Sequence, residues 1–85
     1  MKHITIDCAL IEEKAQFHQA LAQALDFPAH YGNNLDALYD CLSDIHQDTH
    51  LTLTNWEHMA AFSRGFRFVL DDAENENPHL TVTIV

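Results

Sequence analysis

Apolar residues fall along this chain in two rhythms. His3-Ile4-Thr5-Ile6-Asp7, Leu51-Thr52-Leu53-Thr54 and Leu80-Thr81-Val82-Thr83-Ile84-Val85 are rich in β-branched side chains and alternate with a period of two. That pattern predicts three strands. From about Glu12 to Leu25, the positions Ala15, Phe17, Leu21, Ala24 and Leu25 recur at helical spacing, with Pro28 just beyond. Glu12 and Glu13 suit the positive end of that helix. The stretch from Asp26 to Asn33 has no period but carries Pro28, Gly32, Phe27 and Tyr31. It reads as an ordered loop, longer than most connections and so a place to look for function. Asn33 or Asn34 then caps a second helix running to about Ser43 or Asp44. After the second strand, Asn55 is expected to cap a short helix holding Trp56, Met59, Ala60 and Phe62, interrupted at Arg64-Gly65. Phe66, Val69, Leu70 and Ala73 continue at helical spacing up to Asn75 or Asn77-Pro78.

The order β-α-loop-α-β-α-α-β implies a three-stranded parallel sheet with right-handed crossovers. Three strands are few for a sheet covered on both faces, so the expected fold is a two-layer α/β domain with about four helices. Its 85 residues fit one domain spanning 1–85. No apolar run approaches the ~18 residues of a membrane span, and Met1-Lys2-His3-Ile4 leads into no signal-peptide core. Two cysteines, Cys8 and Cys41, cannot make a disulfide scaffold, so a reducing, cytoplasmic setting is expected. Cys41 is expected to face inward, and Trp56, Phe62, Phe66 and Phe68 to lie in or near the core.

The charge balance is strongly acidic. Four Lys and Arg against thirteen Asp and Glu give a formal net charge of −9. Such a surface repels phosphate backbones and anionic membranes, so no direct nucleic-acid or membrane partner is expected. On charge alone, the surface either keeps the chain in solution or attracts basic proteins. On a helical wheel from Leu35 to Ile45, the residues Leu35, Leu38, Tyr39, Cys41, Leu42 and Ile45 share the inward side. Asp36, Asp40 and Asp44 fall opposite them within an arc of roughly 80°. Like charges four residues apart cost about 0.2–0.5 kcal/mol per pair, and Asp is a poor helix former. Folding alone would favour Lys, Glu or Ala there, so the stripe reads either as a solvated acidic face or as a surface for a basic partner.

Other chemistry is thin. His46-x-x-x-His50 has a spacing that could bind zinc on a helix, but the segment lacks helical periodicity and reads as a polar loop. No metal or cofactor is therefore expected. None of the seven histidines sits in a nucleophile motif, so the chain is not expected to be an enzyme. His18 reads as structural.

The segment His30-Tyr31-Gly32-Asn33-Asn34-Leu35-Asp36-Ala37-Leu38-Tyr39-Asp40-Cys41-Leu42-Ser43 resembles the signature of the barstar family of ribonuclease inhibitors. Weaker agreement reaches Phe17-His18-Gln19-x-Leu21, Asp72-Ala73 and Leu80-Thr81-Val82. The resemblance implies a barstar-like three-stranded parallel sheet and a non-catalytic, intracellular inhibitor that plugs the active site of a basic ribonuclease. It places the contacts on His30, Gly32, Asn34, Asp36, Asp40, Ser43 and Asp72. Asp40 would stand in for the substrate phosphate, Asp36 would pair with a cation, His30 would cover the base site, and Asp72 would be peripheral. A 1:1 complex and a free monomer are expected. His30, Asn33, Tyr39, Ile45 and Asp72 replace the prototype's tyrosine, glutamate, tryptophan, tryptophan and glutamate, which alters ring size, charge and reach at the contact surface. The rival reading is an acidic interaction module whose basic partner is not a nuclease.

Overall fold

In the computed structural model, which describes residues 1–85, the period-two segments form strands β1 (Lys2–Asp7), β2 (Thr49–Thr54) and β3 (Leu80–Ile84). They make one parallel sheet in the order β1-β2-β3. β2 begins two residues earlier than its apolar alternation suggests, because Thr49 and His50 already pair with both neighbours. The two crossovers step in the same direction across the sheet, and connections of the usual right hand then put every helix on one side. Burial along the strands agrees: Ile6, Leu51, Leu53 and Leu80 are buried, whereas His3, Thr5, Thr81 and Thr83 on the opposite face are exposed. The domain therefore has two layers. On the outer edge of β3, the backbone amide of Val82 donates to Glu74 Oε2 at 2.8 Å, which removes one donor from an open strand.

Three α-helices form the second layer, joined by two short 3-10 helices, Cys8–Leu10 and Trp56–Met59. α1 (Lys14–Leu25) starts two residues after Glu12; Gln16 Oε1 accepts the Glu12 and Glu13 amides at 2.6 and 3.2 Å. It ends on Asp26 in the left-handed region, φ 57°, where the Asp26 carboxylate meets Lys2 Nζ at 3.7 Å. α2 (Leu35–Ser43) is capped by Asn34, whose Oδ1 accepts the Ala37 amide at 2.8 Å. α3 (Ser63–Glu76) closes the set.

α3 corrects two sequence expectations. Arg64-Gly65 does not interrupt the chain's helix; the break falls at Ala60–Phe62, and Gly65 lies inside α3. A Cβ on Gly65 would sit 2.9 Å from Leu35 Cδ1, so the glycine lets α2 and α3 approach. Phe68 is 69% exposed and not part of the core. Two positions from buried Phe66, it points roughly 200° away around the helix. Asn55 also departs from expectation: it makes no side-chain cap and instead donates from Nδ2 to Asp7 Oδ1 at 2.8 Å. That bond, with the Ala9 amide, holds the Asp7 carboxyl below its ordinary range.

The core sits between the layers. Phe17 and Phe66 meet edge to face, ring centres 4.7 Å apart at 88°, and Trp56 flanks Phe17 at 6.0 Å. Leu21, Leu38, Leu42, Leu51, Leu53, Met59 and Leu70 are wholly buried around them. Cys8 is buried and Cys41 half-buried, both as free thiols, so Cys41 is less inward than the wheel implies. Burial pushes the Cys8 thiol up to about 11, with the Asp7 charge adding to the effect.

Candidate functional site

The loop from Asp26 to Asn34 is held by a few definite contacts. The Tyr31 amide donates to the Pro28 carbonyl at 2.9 Å, closing a turn. Asn33 adopts φ 52°, a conformation asparagine tolerates better than most residues. Asn34 Nδ2 reaches back to the Gly32 carbonyl at 3.3 Å. A side chain at Gly32 would crowd that amide, its Cβ lying 2.9 Å from Nδ2. Gly32 and Asn34 thus shape the loop and start α2 together.

The loop is anchored to α1 through His18. Its Nδ1 lies 2.6 Å from the Tyr31 hydroxyl, and its ring packs on Phe66 at 4.9 Å between centres. Only 5% of His18 is exposed. Burial holds His18 below the usual histidine range and pushes Tyr31 up to about 12, with Cys41 adding repulsion at Tyr31. Both rings are therefore uncharged near neutrality.

Unfolded, His18 takes a proton near pH 6.5, whereas the folded protein resists it to lower pH. The contribution of this group is complete above about pH 6.5 and is lost as the pH falls towards the lowered folded value. Denaturant midpoints at about pH 7.5 and about pH 5.5 should fall more for the natural chain than for His18→Gln. Equal falls would assign the loss to other groups.

All seven residues singled out from the sequence, His30, Gly32, Asn34, Asp36, Asp40, Ser43 and Asp72, are exposed. The structure brings most of them together around Asp40. One groove, of about 630 Å³, runs between α2 and α3 and is lined by Asp36, Asp40 and Asp72 with Tyr39 and Phe68. A second, of about 290 Å³, joins α2 to the loop and is lined by His30, Gly32 and Asp40 with Asp44. Asp40 borders both. Ser43 borders neither, although it lies on the next turn, and Asn34 is engaged as the helix cap. The Asp40 carboxylate makes no hydrogen bond or ion pair within the chain, nor do those of Asp36 and Asp44. Cys41, lying among them, is held above the usual thiol range by burial and then by Asp44 and Asp40.

Sequence reasoning did not bring Phe68 and Leu35 to this surface. Their apolar character points both inward, yet Phe68 lines the groove and Leu35 is 38% exposed beside it. The outward turn of Phe68 was available in its two-residue offset from Phe66. No group of three or more His, Cys, Asp or Glu side chains gathers where it could hold a metal ion, and His46 lies in a loop before β2. No helix is long and apolar enough to cross a membrane.

Residues 1–84 match the family described as Barstar (barnase inhibitor). A Bacillus subtilis (strain 168) protein named "Putative ribonuclease inhibitor YrdF" is 41% identical over 63 residues, which cover 73% of this chain and 69% of that protein. With the match running from β1 through the loop and α2 into β3, the chain belongs to the barstar family.

Proposed function

We propose that this chain is a non-catalytic inhibitor that binds a basic ribonuclease one to one and blocks its active site with α2 and the preceding loop. The observation that carries this reading is the placement of Asp40. It is exposed, without a partner in its own chain, and borders both grooves that gather the remaining acidic and loop residues. A ribonuclease holds its substrate phosphate with Arg, Lys and His. A carboxylate entering that pocket makes charge-assisted hydrogen bonds in a dry environment, where they are strong. Asp40 serves as the phosphate mimic, Asp36 pairs with a neighbouring cation, and His30 covers the base site. Asn34 and Gly32 keep the loop in shape, Ser43 extends the contact by one turn, and Asp72 adds charge at the rim. The inhibitor acts in the cytoplasm as a monomer until it meets its target.

The test is inhibition and its salt dependence. RNA cleavage by barnase, and by a panel of other basic microbial ribonucleases, is measured while this chain is titrated in. Loss of cleavage at a 1:1 ratio for at least one enzyme is expected. For that enzyme the on-rate should fall at least about tenfold between low and high salt while the off-rate changes less, because a −9 protein steers a cation across distances that salt screens. A panel left fully active would sink the reading. A flat on-rate would remove its electrostatic basis.

A further inference from the structure

The helices leave one face of the sheet to solvent, and that face carries an ordered array. In register across the three strands run His3, His50 and Thr81, and in the following row Thr5, Thr52 and Thr83. His3 and His50 are direct partners on adjacent strands, their ring centres 5.7 Å apart and their planes inclined by 49°. His50 Nε2 lies 2.7 Å from Thr83 Oγ1. Just before the strands, His79 Nδ1 lies 2.9 Å from Asp48 Oδ1.

We propose that His3 and His50 form a site for a divalent transition-metal ion of the copper(II), nickel(II) or zinc(II) class, held by two imidazoles across β1 and β2. A metal about 2.0–2.1 Å from one nitrogen of each ring sets the ring centres about 5 Å apart in a tetrahedral site. The observed pair is within about 1 Å of that, a gap closed by turning the side chains. The Thr83 hydroxyl supplies the second partner that ligating histidines use: with His50 Nε2 as donor, Nδ1 keeps its lone pair for the metal. Imidazole ligands suit these ions and not magnesium or calcium. The net charge of −9 raises the local concentration of cations. Two protein ligands leave positions for water, so the site is open and exchangeable. Because it joins strands that are distant in sequence, metal binding to the folded chain tightens the sheet.

The test uses the metals alone on the full chain. With free nickel(II) about a hundredfold above its dissociation constant, the melting temperature should rise by about 10 °C, while magnesium leaves it unchanged. Substoichiometric copper(II) should broaden amide signals centred on His3 and His50. Both effects should vanish in His3→Asn and in His50→Asn, and persist in His46→Asn and His79→Asn. His3 is exposed, so its variant stays folded even if loss of the Thr83 bond weakens the other. A shift that survives His50→Asn places the metal elsewhere, for example on His3 and the backbone before it, and overturns the proposal. So does the lack of a saturable shift.

Discussion

Asp40→Ala is expected to weaken the complex with the target ribonuclease by at least ~2 kcal/mol, the general threshold for an interface hot spot, of which the family's prototype is a standard example. The same change should leave the free protein as stable as before or more so. Asp40 has no partner in its own chain and stands four residues from both Asp36 and Asp44, so alanine removes two like-charge pairs and improves helix propensity. A gain of up to about 1 kcal/mol is expected, worth roughly 4–8 °C in melting temperature for a domain this small. Asp44→Ala is the control. Asp44 sits at the C-cap of α2, at the negative end of the helix dipole, and its loss should stabilise similarly with a much smaller effect on binding. Melting each variant alone and titrating it against the nuclease separates the two effects. If Asp40→Ala melts several degrees lower and binds as before, Asp40 is a structural residue.

Asn77→Ala should do the reverse. Asn77 is 5% exposed, and its Nδ2 donates to the carbonyls of Leu42 and Ile45 at 2.9 and 3.1 Å. Its Oδ1 accepts the His79 amide at 2.9 Å. One side chain thus ties the end of α2 to the turn between α3 and β3. Alanine removes all three bonds and strands buried backbone groups, at a cost of about 2–4 kcal/mol. Against a total stability of roughly 4–13 kcal/mol for this length, that is a large fraction, and the melting temperature should drop by about 10 °C or more. Asn77→Asp should be no better, since it keeps the acceptor for His79 but turns a carboxylate towards two carbonyls. Titrated well below its melting point, Asn77→Ala should bind far better than Asp40→Ala. A melting temperature within about 2 °C of the natural chain would show that the bridge carries little weight.

The contrast between these residues shows what a sequence reveals and what it hides. The acidic stripe on α2 was legible because it is local: Asn34, the apolar positions Leu38 and Leu42, and three aspartates at a spacing of four define the helix and its outer face within a dozen residues. The strands were legible for the same reason, through their alternation. Asn77 looked like a helix terminator and no more, since its partners lie 35 and 32 residues away. Helix propensity disfavours Gly65 and so points to a break there, and only the approach of Leu35 explains its place inside α3. The pairing of His18 with Tyr31 and of His3 with His50 likewise depends on register and packing that no local pattern encodes. Ser43 and Asp72 entered through the family resemblance alone; the structure places Asp72 beside the stripe and leaves Ser43 outside both grooves.

The parallel order β1-β2-β3 also governs when the protein becomes useful during its own synthesis. A parallel neighbour arrives only after a long crossover, so β1 has nothing to pair with until Thr54 has been made, and the sheet is incomplete until Ile84. α2, with Asp40, is made between β1 and β2, but the core against which Leu38 and Leu42 pack draws on β2, α3 and β3. The carboxylates are therefore displayed in working geometry only once β3 has joined the sheet. Folding should be slow for so small a domain, because its strand contacts are all non-local. Under the proposed function, protection against a nuclease follows the completion of β3 and not that of α2.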